Sequence, residues 1–123
     1  MSHKKRRTKA NVNIEKALLS LDFPFKNNKG KNVALKISNS SHSRSKHIAK
    51  QYHSLTLNDI KLIPEALLHP DYVTVDPVVK RNMNYYKRRE KGKRITFLKI
   101  VTKRVNEKEE QLITVFTTNN IKC

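Results

Sequence analysis

RITFLKIVTK, residues 94–103, and QLITVFTT, residues 111–118, decide what kind of fold this chain can make. Both are rich in β-branched residues and read as strands. The polar segment Asn106 to Glu110 between them is a short connection, so the two should pair as an antiparallel hairpin. Alternation places Ile95, Phe97, Lys99 and Val101 on one face of the first strand. In the second, Leu112, Thr114 and Phe116 share one face, and Ile113, Val115 and Thr117 share the other.

Upstream of the hairpin, Tyr72, Val73 and Val75 suggest one strand and Asn82 to Arg88 another. In the latter, Tyr85 and Tyr86 point to opposite faces. One would pack, and the other would be placed to stack on a base or donate to a phosphate. Gly92 marks a turn inside the basic loop Lys87 to Arg94. The middle of the chain is helical, with good helix formers from Arg44 to Tyr52. Thr56, followed three residues later by Asp59, resembles a capping arrangement for a further helix. Pro64 interrupts that helix unless it opens a new turn, and Pro70 stops it. Ile60, Ile63, Leu67 and Leu68 are the expected core. Near the N-terminus, Ile14, Ala17, Leu18 and Leu21 recur at helical spacing, with Asn13 as the cap. Asp22 to Asn32 reads as a loop, and Val33, Leu35 and Ile37 as a short strand. The pattern predicts an α+β fold with helices on one face of a sheet that ends in a β-meander.

At 123 residues, the chain has room for one domain and one modest core. Residues 1–10 (MSHKKRRTKA) read as a basic arm without apolar anchors, and residues 11–123 as a single domain. With 27 Lys+Arg against 10 Asp+Glu, the formal net charge is +17, which makes nucleic acid or another polyanion the expected partner. No apolar run approaches the roughly 20 residues of a membrane-spanning helix, and no signal-peptide h-region is visible. The single cysteine, Cys123, excludes an internal disulfide framework and suits a reducing compartment, so a cytoplasmic location is expected.

His47 and His53 lie in a basic segment ahead of the Thr56 cap. Cations to hold a phosphate backbone, together with imidazoles that move protons near neutral pH, are what a metal-independent ribonuclease needs. The spacing of His42, His47, His53 and His69 does not match a helical metal site, and no cysteine or carboxylate cluster completes one. His47 and His53 would diverge by about 120° on one continuous helix. If the helix ends near Gln51, His53 enters a loop and can turn toward the sheet. His47 reads equally well as a half-buried helix residue. Lys99, in an otherwise apolar row, either snorkels to an edge or supplies charge to a transition state. Thr114 either orients a phosphate or is an ordinary strand threonine.

The order of HI…H (His47, Ile48, His53), IPEALLHPDYV (63–73), the Tyr85-Tyr86 strand, the basic hairpin and LITVFTTNNIK (112–122) resembles the barnase/EndoU/colicin/RelE-like ribonuclease superfamily. It looks closest to that superfamily's phage-associated toxin branch. The resemblance spans roughly His47 to Lys122. It implies N-terminal helices packed on a four- to five-stranded antiparallel sheet, with an RNA cleft on the sheet face and cofactor-free attack by the 2′-OH. It places the family's histidines on His53 and His47, its basic strand residue on Lys99, and its final-strand hydroxyl on Thr114, with Thr117 competing. The family carries an arginine just before the second histidine. Here Gln51-Tyr52 stand instead, leaving Lys50 or Arg44 as the cation.

The expected activity is therefore metal-independent endoribonuclease cleavage that leaves 2′,3′-cyclic phosphate and 5′-OH ends. His53 would be the base and His47 or Tyr86 the acid, with Lys99 stabilising charge and Thr114 orienting the phosphate. Arg44, Lys50, Lys87, Arg88, Arg89, Lys91, Lys93 and Arg94 would bind RNA. No metal or cofactor is expected. A toxin of this kind would have an acidic immunity or antitoxin protein as partner. The alternative is a non-catalytic basic protein that binds RNA or DNA.

Overall fold

The computed structural model describes residues 9–35, 55–89 and 95–119. Among the described residues two helices, α1 (Lys9–Leu19) and α2 (Leu57–Leu68), accompany six strands. These are β1 (Phe25–Lys26), β2 (Asn32–Leu35), β3 (Tyr72–Val75), β4 (Asn82–Arg88), β5 (Phe97–Arg104) and β6 (Glu109–Thr118). They form one sheet in the order β1-β2-β6-β5-β4-β3.

The meander β3–β4–β5–β6 is antiparallel throughout, and β5 and β6 form the expected hairpin. The sheet as a whole departs from the expectation of N-terminal helices on a four- to five-stranded antiparallel sheet. It is six-stranded and mixed, because β2 runs parallel to β6 and brings β1 with it. Nor are both helices N-terminal, since α2 falls between β2 and β3. A parallel pair between strands so distant in sequence has no turn to announce it, whereas a hairpin does.

One face of the sheet carries the core. Val33, Leu35, Leu112, Val115, Leu98, Ile100 and Tyr85 meet Ile14 and Leu18 of α1 and Ile60, Ile63, Ala66 and Leu67 of α2. Each such Leu or Ile side chain taken from water contributes about 1.5–3 kcal/mol. This burial explains two local departures. Helix α1 begins at Lys9, so Asn13 is inside it and is not its cap. Helix α2 runs through Pro64, because its buried stripe continues on both sides of the proline. Its start is as expected: Thr56 caps it, and the reciprocal bonds Asp59 N–H to Thr56 Oγ1 (3.2 Å) and Thr56 N–H to Asp59 Oδ2 (2.8 Å) close a capping box.

A bulge corrects the face assignment in β6. Val101 pairs with Thr114 and Thr102 with Leu112, so Ile113 is the extra residue. Leu112 therefore joins Val115 on the core face, while Thr114 and Phe116 go to the opposite face, with Lys99 and Tyr86. No helix among the described residues is long and apolar enough to cross a membrane.

Candidate nucleic-acid interface

The cross-strand register puts Tyr72, Tyr86, Lys99 and Phe116 in one row on the face away from the helices, and Thr114 in the neighbouring row. Three of the five expected catalytic residues thus share a face. The Lys99 ammonium lies 5.5 Å from the Tyr86 ring centroid and 5.3 Å from that of Phe116, within cation–π range of both. Tyr86 is fully buried, and Phe97 packs edge-on against it at 6.4 Å. The other two, His47 and His53, lie outside the described residues. So do Arg44, Lys50, Lys91, Lys93 and Arg94.

Two of the expected RNA-binding residues are half-buried and tied to acidic groups of the fold. Arg89 grips Asp59 with two bonds, Nε to Oδ1 and Nη2 to Oδ2, both 2.8 Å, and reaches Thr96 Oγ1 at 3.3 Å. Lys87 donates to the His69 carbonyl at the C-terminus of α2 (2.8 Å) and sits 3.9 Å from Glu65 and 4.0 Å from Asp71. A cation at that helix end is favourably placed. Both side chains are engaged by these partners, Arg89 at 11% exposure and Lys87 at 20%. Arg88 is exposed, with its backbone N–H bonded to Asp71 Oδ2 at 2.6 Å.

A cationic groove that the sequence reading missed lies at the end of the sheet where β1, β3 and β4 meet the β5–β6 connection. One cavity of about 400 Å³ is lined by Asn27 to Lys29, Lys31, Val73 to Val75, Met83, Tyr85, Arg104 and Glu110. A second, of about 380 Å³, is lined by Lys31, Arg81, Arg104, Val105, Asn106 and Glu107. Lys31 and Arg104 belong to both, so the two are contiguous. None of the ion pairs among the described residues uses Lys29, Lys31, Arg81 or Arg104.

Local structure fixes each cation. The turn joining β1 to β2 requires Gly30, whose φ of 79° is disfavoured for residues with a Cβ. Asn27 Oδ1 accepts the backbone N–H groups of Lys29 (2.9 Å) and Lys31 (2.8 Å), so this one side chain organises the turn that carries both lysines. Across the groove, Asp76 accepts from the Val78 and Val79 N–H groups, which shapes the β3–β4 turn. Those bonds, Val79's foremost, hold the Asp76 carboxyl below its usual range. The Arg104 N–H donates to the Arg81 carbonyl at 2.8 Å, tying the two arginine-bearing segments together.

Beneath the groove is a polar network buried from solvent. Tyr85 donates to Glu110 Oε1 at 2.6 Å and Thr102 to the same oxygen at 2.7 Å. Asn27 Nδ2 donates to the Tyr85 hydroxyl (2.9 Å) and to Glu110 Oε2 (3.3 Å). Asn27, Tyr85, Thr102 and Glu110 are all no more than 2% exposed. Among the described residues the carboxylate has three neutral donors and no ion pair. It thereby fastens the turn carrying Lys29 and Lys31 to β4, β5 and β6. No group of three or more potential metal ligands occurs among the described residues.

Burial first, and then the bond to Glu110, push the Tyr85 hydroxyl far above the usual tyrosine range. Its folded-state pKa is therefore raised above the unfolded value of about 10. The stabilisation from the neutral hydroxyl is complete below about pH 10 and is lost as pH rises beyond it. Alkaline titration should show Tyr85 ionising only as the fold opens, and Tyr85→Phe should remove that step from the tyrosinate absorbance. Reversible ionisation of Tyr85 in a still-folded protein near pH 10 would contradict the network.

Compared with family models, with curated proteins and with solved structures, the chain matches none.

Proposed function

We propose that the protein binds RNA through the groove formed by Lys29, Lys31, Arg81 and Arg104. The observation that carries this reading is that four cations, none used in an ion pair among the described residues, line two contiguous cavities in a chain of formal net charge +17. Phosphate contacts of this kind supply affinity without reading sequence, and they release counterions. Affinity for single-stranded RNA should fall steeply with salt, at ~0.7 log units per log unit of salt for each phosphate engaged. A total slope of several units is expected from titrations over a range of salt concentrations. A flat dependence would remove the polyanion reading.

Metal-independent endoribonuclease activity is the second reading, favoured by Lys99 and Thr114 sharing one face of the sheet, with Tyr86 buried beside Lys99. In that reading Lys99 offsets charge developing on the phosphate as the 2′-OH attacks. Total RNA incubated with the protein in EDTA should then yield fragments with 5′-OH ends. Lys99→Met keeps the apolar stem between the two rings but removes the charge. It should lower cleavage by about tenfold or more, equivalent to ~1.4 kcal/mol of lost transition-state stabilisation. Equal cleavage by wild type and Lys99→Met would assign the lysine to packing against the Tyr86 and Phe116 rings.

A further inference from the structure

We infer that the groove selects single-stranded RNA by housing two neighbouring nucleotides, one in each cavity, astride a phosphate held by Lys31 and Arg104. The inference rests on the RNA-binding reading above and adds the class of RNA and the way it seats. Each cavity, at about 400 Å³ and about 380 Å³, lies near the lower end of the range for one small ligand. There is room in each for a single nucleotide.

The charges divide the groove. Apart from the shared residues, the first cavity carries Lys29 and Glu110 and the second Arg81 and Glu107, so within each cavity one cation is offset by one carboxylate. The residues common to both are two cations, Lys31 and Arg104, which makes the junction the favourable place for a phosphate. Bases are then directed into the cavities. The first offers an apolar wall of Val73, Val75 and Met83, and the second offers Val105 beside Asn106. A base can occupy such a space only when it is unpaired and unstacked. A duplex keeps its bases inside and would present only its backbone to the rim.

The test compares a short single-stranded RNA with the duplex of the same sequence at equal salt. The single strand should bind the wild-type protein at least about tenfold more tightly, the scale of seating one base. Val75 and Val105 are 47% and 50% exposed, so tryptophan at either position fills a cavity from the outside without entering the core. Val75→Trp and Val105→Trp, tested separately, should each lower single-strand affinity while leaving duplex affinity unchanged. If Lys31 and Arg104 share one phosphate, Lys31→Ala or Arg104→Ala alone should barely change the salt slope. The double variant should lower it by ~0.7, the value for one phosphate. Equal affinity for single strand and duplex, or tryptophan variants that change neither, would overturn the inference and leave RNA binding in place. If neither RNA binds at low salt, the RNA-binding reading fails and takes the inference with it.

Discussion

Asp59→Ala is expected to lower the unfolding free energy by about 3–5 kcal/mol, the scale for removing one partner of a buried ion pair. Asp59 and Arg89 side chains are 5% and 11% exposed, so solvent screens the pair little. Without the carboxylate, the Arg89 guanidinium keeps only its 3.3 Å bond to Thr96 and leaves two donors facing a dry gap. The Thr56 N–H loses its acceptor at the same time, and the first turn of α2 loses half of its capping box. Arg89→Met should cost less, because Asp59 still accepts from Thr56 and still sits at the positive end of a helix. Thr56→Ala should cost about 1 kcal/mol, the usual value for an N-cap. Urea unfolding of the three variants checks this order. A loss under about 1 kcal/mol for Asp59→Ala would show that the pair contributes little beyond an exposed one.

Arg89 also illustrates what a basic run conceals. In sequence, Lys87, Arg88 and Arg89 are three equivalent cations ahead of a glycine turn. Their fates separate only once β4 has neighbours. Lys87 caps the end of α2 and Arg89 locks its start, and only Arg88 is exposed. Their three acidic partners, Asp59, Glu65 and Asp71, lie on segments well upstream, so no local spacing rule could reveal them.

What local chemistry controls was legible. The β5–β6 hairpin, the span of β4, the Thr56–Asp59 cap and the opposite orientation of Tyr85 and Tyr86 each follow from a few adjacent residues. What distant pairing controls was not. Strand β1 is two residues long and lies inside what reads as a loop, and it exists because β2 is anchored to β6. The bulge at Ile113 left no mark in an unbroken run of strand formers. The groove was missed for the same reason, since its cations come from a turn near the N-terminus, the β3–β4 turn and the end of β5. One signal was available: Glu110 stands two residues before Leu112, so alternation puts a carboxylate in the same row as Leu112, and burial of that leucine would bury the carboxylate with it. A carboxylate in a core row needs donors from somewhere, and the search for them leads to Tyr85, Thr102 and Asn27.

Glu110→Ala is expected to destabilise the protein by about 2–4 kcal/mol, since several buried donors lose their acceptor while one uncompensated buried charge is relieved. The more discriminating change is Glu110→Gln. Its amide oxygen can still accept from Tyr85 and Thr102, but its amide nitrogen would then face Asn27 Nδ2, donor against donor, where 3.3 Å now separates donor from acceptor. Asn27 cannot simply turn over, because its oxygen already holds the Lys29 and Lys31 N–H groups. The conflict is passed to the turn that carries the two lysines. Glu110→Gln should therefore unfold at a somewhat lower urea concentration. It should also exchange the Lys29 and Lys31 amide hydrogens faster than wild type, and more so than amides in β5. RNA affinity should fall with it although no groove cation has been removed. Asn27→Ala deletes the same link and also the direct acceptor of the Lys29 and Lys31 N–H groups, so it should show all three effects more strongly. Unchanged protection at Lys29 and Lys31 in both variants would mean that the buried network does not hold the cationic turn.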